Sequence, residues 1–217
     1  TTFAGFILAP ASSFNYILLF HTLFGTTLVA IGGASLNMVM EYEIDRLMNR
    51  TKNRPIPTGR ISYTNGLLYG TICSLIGISY LVFFVNVLTS LLGALTIAGY
   101  LFVYTPSKKI TSLSTIIGSF PGAIPPIMGW TAVRNQFSFE AWILFAILYF
   151  WQIPHFLAIA WMYRKDYERA GFPMLPVIEE SGKSTSLHIL IHCIVLIPVS
   201  ILPTYFHLTG NLYLFGA

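Results

Sequence analysis

The 217 residues are 55% hydrophobic and only 9% charged, with a net charge of +4. A soluble domain usually carries about 25% charged residues, so this composition excludes an ordinary water-solvated domain and points to a chain embedded in lipid. The small positive excess sits in short segments beside apolar runs, which argues against nucleic acid as a partner.

Long apolar runs separated by polar breaks predict membrane-spanning helices, each needing about 20 residues. A partial span covers about 1–9. A second runs from about 15 to 40 and continues as polar helix to about 48. A third covers about 63–85 and a fourth about 87–104. A fifth, about 113–133, is interrupted by Pro121, Pro125 and Pro126. A sixth covers about 139–163 with Pro154 inside it, a seventh about 187–206, and an eighth begins near 211. Strands of a membrane barrel would show ~10-residue segments of alternating polarity; these runs are continuously apolar. The expected fold is therefore all-α, a polytopic transmembrane helix bundle of about seven to eight spans in one domain over 1–217, cut inside a helix at both ends. Cys73 and Cys193 lie in apolar stretches without ligand spacing and read as packing residues.

The basic residues test this topology. The segments after spans two, four and six hold 11 of the 12 Lys and Arg, and only Arg134 falls on the other side. That asymmetry marks the charged face as cytoplasmic, or its matrix equivalent. Seven of the eight acids lie on the same face, although acids contribute little to orientation, so something else holds them there.

Asn37, Glu41 and Asp45 are spaced i, i+4, i+8 and fall within an arc of about 80° on one helix face, where a span meets the charged side. Glu43 points away from it. Crowded acids at a membrane boundary repel one another, and a divalent cation relieves that. Hard oxygen donors suit Mg²⁺, which binds one or two carboxylates plus substrate phosphate oxygens. Arg50, Lys52 and Arg54 follow on a Pro-containing loop and form a complementary diphosphate site. A second cluster, Tyr163–Pro176, offers Asp166 as a candidate ligand for a second Mg²⁺ and Arg164 and Lys165 as candidate phosphate contacts, with ordinary interfacial charges as the alternative reading. Lys108 lies in the loop after span four. His155, after Pro154 inside span six, reads as a buried side chain. His188 and His192 stand at i, i+4 without a visible third ligand and read as packing residues.

Two acidic motifs on the ends of even-numbered spans resemble the UbiA superfamily of prenyltransferases. The run from Asp45 to Pro57, Tyr104-Thr105-Pro106-Ser107-Lys108, Gly118–Trp130, Trp151–Phe156 and Asp166–Pro176 are similar, in order, to its branch that makes heme O. The resemblance implies a nine-helix bundle in the bacterial inner membrane or the mitochondrial inner membrane. It implies transfer of a farnesyl group from farnesyl diphosphate to a vinyl group of heme b, with water added. Carried over by position, Asn37, Glu41, Asp45 and Asp166 are its catalytic and Mg²⁺-binding residues. Arg50 and Arg54 match its basic pair and His155 its histidine, which serves the heme; Lys52, Lys108, Arg164 and Lys165 are expected as further diphosphate contacts. Its expected partners are the two substrates, the lipid bilayer, and a downstream heme-modifying enzyme or oxidase assembly factors. Glu41 and Glu43 stand where the family usually has Asp, which lengthens each arm by a methylene. Two rival readings share features of the sequence: a UbiA-type enzyme acting on an aromatic quinone precursor, and a multi-pass transporter with intramembrane acidic ion sites.

Overall fold

A computed structural model describes residues 1–216. It is helical, and no strand occurs among the described residues. After the short α1 (Thr2–Leu8) come α2 (Tyr16–Met40) and the single turn α3 (Tyr42–Asp45), then α4 (Tyr63–Phe84). α5 (Val87–Ala98) passes through a π-helical segment, Gly99–Tyr104, into α6 (Thr105–Ile110). α7 (Ser114–Gly122) and α8 (Ile124–Arg134) together make one span, followed by α9 (Phe139–Met162). Two short helices, α10 (Arg164–Arg169) and α11 (Leu175–Ile178), precede α12 (Lys183–Tyr205).

Six of the resulting helical units are long and apolar enough to cross a membrane among the described residues, so the chain is an integral membrane protein. α1 has only seven residues. The eighth run forms a 3-10 turn, Asn211–Phe215, rather than the start of an α-helix. The helix starts follow local chemistry. The side-chain oxygens of Asn15, Ser62 and Asn86 accept from backbone N–H groups three residues on, capping α2, α4 and α5. Rows of large apolar side chains face outward, among them Ile17, Phe20, Leu68, Leu75 and Phe83. In water that surface would drive aggregation; in a bilayer it is the solvated face.

The bundle order is α2, α4, α5–α6, α7–α8, α9, α12, with α1 lying on α8. The most extensive contact is α2 with α4. Lipid offers no hydrophobic drive between helices, so small residues that let backbones approach supply the packing. Gly77 is the clearest case: a Cβ there would sit 2.8 Å from the backbone nitrogen of Val29. Gly77→Leu is therefore expected to force α2 and α4 apart at a cost of about 1–3 kcal/mol, read as a lower unfolding temperature in detergent micelles.

Two clusters fix the interior. One joins Val29, Leu81, Ile127, Met128, Trp130 and Leu144 between the spans. The other, Met48, Ala160, Phe172 and Met174, lies under the loops at the charged end and ties the segment after α3 to the α10–α11 segment. This second cluster brings the two acidic motifs to one end of the bundle.

The sequence reading needs two corrections here. The polar continuation of α2 does not run to residue 48. The helix breaks at Glu41 (φ −108°, ψ 8°), resumes for one turn, and ends at Asp45. Span four does not stop at Tyr104. It continues to Ile110 through the π-helical segment, so Lys108 stands on a helix rather than in a loop.

Candidate active site at the charged end of the bundle

The break at Glu41 and the turn α3 keep Asn37, Glu41 and Asp45 on one wall of a cavity of about 290 Å³. All three are buried, Asp45 to 1% exposure. Asn37 Nδ2 donates to Thr105 Oγ1 at 3.0 Å, and no hydrogen bond among the described residues uses its side-chain oxygen Oδ1. Glu41 is paired with Lys108, whose Nζ lies 2.6 Å from Oε1 and donates to Oε2 at 2.7 Å. Asp45 Oδ2 accepts from Arg54 at 2.8 Å, while its Oδ1 is buried with no hydrogen-bond partner.

The π-helical segment shapes the opposite wall. Widened turns of this kind recur at functional sites because they re-aim side chains. Here Tyr100 and Tyr104 both line the cavity, their ring centroids 5.5 Å apart. One turn further, Lys108 Nζ lies 4.8 Å from the Tyr104 ring centroid. Gly118 and Gly122 on α7 make room: a Cβ on Gly118 would meet the Tyr104 ring at 2.5 Å, and one on Gly122 would collide with Gln152 Oε1. The proline-broken span five thus contributes to the cavity wall at these two glycines. Phe156, Tyr167 and Met174 complete the lining. Tyr167 OH accepts from Arg50 Nη2 at 3.2 Å. Burial pushes the Tyr167 phenol above its usual range, with the Arg50 guanidinium pulling the other way.

Of the sequence-derived candidates, Asn37, Glu41, Asp45, Arg50, Arg54 and Lys108 line this cavity. The other five do not. Lys52 is exposed and donates to Asn49 Oδ1 at 3.0 Å. Asp166 is buried beside the site, but both its oxygens are engaged: Oδ2 by the backbone N–H of Arg50 at 3.2 Å and Oδ1 by Arg169 at 3.2 Å. Arg164 and Lys165 lie with Asp166 along a separate groove on the outer side of Arg50. His155 is exposed on the outside of α9, its ring stacked on Trp151 with centroids 4.9 Å apart. The buried histidine that Pro154 suggested is therefore not found, because residue 155 is turned about 160° from the buried Ile153 and Leu157. His192 Nδ1 lies 2.7 Å from the His188 carbonyl oxygen, a helix-internal contact.

Sequence reasoning assigned no aromatic residue. It therefore missed Tyr100, Tyr104, Phe156 and Tyr167, and it also missed Gln152. Tyr104, Gln152, Phe156 and Tyr167 lie inside the motifs that carried the family resemblance, a signal that was available.

Among the described residues no group of three His, Cys, Asp or Glu side chains is gathered closely enough to hold an ion alone. The donor set nonetheless fits Mg²⁺. It offers two carboxylates and an amide carbonyl, all hard oxygens, with the unpartnered Asp45 Oδ1 among them. Mg²⁺ is normally held by one or two carboxylates with substrate phosphates and water filling the rest.

A second, more apolar cavity of about 480 Å³ lies between α1, α2, α5 and α8, lined by Leu23, Val29, Ala30, Ile97 and Met128 among others. It shares Tyr100 with the charged cavity.

The profile of the UbiA prenyltransferase family matches residues 1–217. The chain belongs to the UbiA prenyltransferase family. It is 48% identical to a protoheme IX farnesyltransferase of Solibacter usitatus, over 92% of this chain and 68% of that protein. It is 46% identical to one from Koribacter versatilis, over 92% and 64% of the two chains. A third, from Flavobacterium psychrophilum, is 43% identical over 99% and 71%. The chain thus spans about two thirds of the length of these relatives. In fold it resembles a UbiA homolog from Aeropyrum pernix K1, with a TM-score of 0.82 at 18% identity over 98% of this chain and 78% of that one. It also resembles a digeranylgeranylglyceryl phosphate synthase, with a TM-score of 0.78 at 16% identity over 99% and 78%.

Proposed function

We propose that this UbiA-family chain transfers a farnesyl group from farnesyl diphosphate to a vinyl group of heme b, giving heme O. The observation that carries the chemistry is one cavity lined by Asn37, Glu41 and Asp45 together with Arg50, Arg54 and Lys108, in which Asp45 pairs with Arg54 and Glu41 with Lys108. The relatives' names carry the choice of farnesyl and heme.

In this reading the diphosphate enters between the two charged walls. Arg54, Lys108 and Arg50 turn toward its oxygens, and the protonated Tyr167 phenol donates a further hydrogen bond. Asn37, Glu41 and Asp45 would hold Mg²⁺ through their oxygens, and the ion, when bound, would supply positive charge to the leaving diphosphate. The prenyl chain runs past Tyr100 into the neighbouring apolar cavity, which supports a long hydrocarbon substrate. The C1–O bond of the allylic diphosphate breaks, and developing negative charge on the leaving oxygens meets groups already fixed in place. The allylic carbon then bonds to the terminal vinyl carbon. Water captures the resulting cation beside the porphyrin ring and releases a proton. The faces of Tyr100, Tyr104 and Phe156 favour a passing cation and exclude stray water. Asp166 acts here by positioning: it holds the Arg50 backbone and keeps that residue at the mouth of the cavity. The bacterial relatives support an inner-membrane location with the charged end cytoplasmic.

The transporter reading expects acids near the middle of the bilayer in repeated halves; the acids gathered with bases at one end of the bundle support a diphosphate instead. The test is incubation of membranes containing the protein with heme b, farnesyl diphosphate and Mg²⁺, with and without chelator. A chelator-sensitive product with the mass of heme b plus a farnesyl and a hydroxyl group is expected. Product from 4-hydroxybenzoate but not from heme b would overturn the choice of acceptor.

The raised Tyr167 phenol has a pH consequence. It stays protonated through the neutral and mildly alkaline range, so it gives no activity loss below about pH 10. Tyr167→Phe is expected to lower kcat/KM roughly tenfold, the upper end for one hydrogen bond, without changing the shape of the pH–rate profile between pH 6 and 9. An alkaline limb near pH 8 that disappears in the variant would contradict this role.

A further inference from the structure

Beside the diphosphate cavity, on the other side of Arg50, runs a groove of about 480 Å³ between the segment after α3 and the α9–α10 junction. Its walls are Asn49 and Arg50 on one side and Trp161 to Asp166 on the other. The groove is amphipathic. Met162 is 74% exposed at its edge, and Trp161 and Tyr163 present ring faces. Arg164 lies over the Trp161 ring at 4.6 Å, and Arg50 lies over the Tyr163 ring at 5.5 Å. These stacks hold the two guanidinium groups in place without using up their charge.

The electrostatics of the groove are unbalanced. Arg50, Arg164 and Lys165 form no ion pair among the described residues; the three that occur join Arg54 to Asp45, Lys108 to Glu41 and Arg169 to Asp166. Neither the Arg164 nor the Lys165 side chain donates a hydrogen bond there. The one acid on the groove wall, Asp166, has both oxygens committed to Arg169 and the Arg50 backbone. Three cations therefore line this trough without an ion pair, although Arg164 and Lys165 also border a neighbouring pocket lined by Glu168 and Glu180. The position excludes them from the diphosphate cavity, apart from Arg50, which lines both.

We propose that this groove is the subsite for the carboxylates of the acceptor, with Arg164 and Lys165 as its binding residues. The proposal rests on the reading of heme b as acceptor. A porphyrin with two propionates on one side and vinyl groups elsewhere on its rim is amphipathic in the same sense as the groove. Its carboxylates match the cations in charge and, for arginine, in planar fork geometry. Its apolar ring matches Trp161, Met162 and Tyr163. Arg50, shared by both spaces, marks where the acceptor and the allylic diphosphate come together.

The test compares heme b with its dimethyl ester as acceptor for the wild-type protein and the Arg164→Gln/Lys165→Gln variant, in lipid nanodiscs with and without anionic phosphatidylglycerol. The expected result is a roughly tenfold rise in the KM for heme b in the variant, with the KM for farnesyl diphosphate where it was. With the dimethyl ester the wild type already shows the higher KM, and the variant adds nothing. An unchanged KM for heme b, or an equal rise for acid and ester, overturns the proposal. A variant effect that follows the anionic lipid and ignores the ester assigns the groove to a lipid headgroup and also overturns it. If the wild type farnesylates neither porphyrin, the reaction assignment itself fails; farnesylation that is blind to the ester fails the groove alone.

Discussion

Replacing Asp45 with alanine is expected to lower prenyl transfer about 100- to 1000-fold while leaving a folded protein. The side chain is buried to 1% exposure, pairs with Arg54 through one oxygen and leaves the other unpartnered at the cavity wall. Alanine removes an oxygen donor from the proposed Mg²⁺ set and frees the Arg54 guanidinium to swing into the partly open mouth of the site. Losing a preorganised charge-stabilising group in a buried site costs that much in known cases. Asp45→Asn separates charge from shape: it keeps one carbonyl oxygen and loses the anion, so it should fall between wild type and alanine. The measurement is product formed per unit protein at saturating substrates, with unfolding temperature as the control. Normal metal-dependent turnover in Asp45→Ala would contradict the mechanism.

The second large effect is on stability. Glu41 and Lys108 are paired at 2.6 Å with side chains only 6% and 11% exposed. Removing one partner of such a pair strands the other charge in a poorly solvated place, which costs about 3–5 kcal/mol. Lys108→Met is therefore expected to lower the unfolding temperature sharply. The double variant Lys108→Met/Glu41→Gln should recover most of the loss, because neutral groups of similar size tolerate burial. Both variants should remain poor catalysts, since the diphosphate has lost a cation. Recovery of stability without recovery of activity is the distinguishing result. If the single variant unfolds like wild type, the pair is not the buried contact described.

Much of this architecture was legible in the sequence because a bilayer imposes long apolar helices and little else. Spans two, three, five, six and seven were placed closely, and the one-sided distribution of Lys and Arg fixed which loops meet. The face of Asn37, Glu41 and Asp45 was readable because helical spacing survives even the break at Glu41, one residue of irregular backbone between two helical pieces. What escaped was whatever depends on tertiary contact. Lys108 looked like a loop cation because a π-helical segment leaves no hydrophobic-period signature; it became a buried wall residue once the span was seen to run through Tyr104 to Ile110. Arg164 and Lys165 looked like diphosphate ligands by nearness to Asp166 in sequence. α10 instead turns Asp166 inward and leaves its two basic neighbours on the outer groove. His155 was a matter of helix phase, two residues either way from buried positions. Composition alone could not choose the aromatic lining, because aromatics serve equally as packing and as interfacial anchors in membrane helices; only the motifs marked Tyr104, Phe156 and Tyr167.

Everything in the mechanism depends on a metal-loaded diphosphate being gripped between the α2–α3 carboxylates and the facing cations. The most direct measurement is calorimetric binding of a non-hydrolysable farnesyl diphosphate analogue to the protein in nanodiscs, with and without Mg²⁺, for wild type and Asp45→Asn. The account predicts binding that needs Mg²⁺ and weakens at least about tenfold in the variant. Equal affinity with and without the ion, unchanged by the substitution, would contradict it.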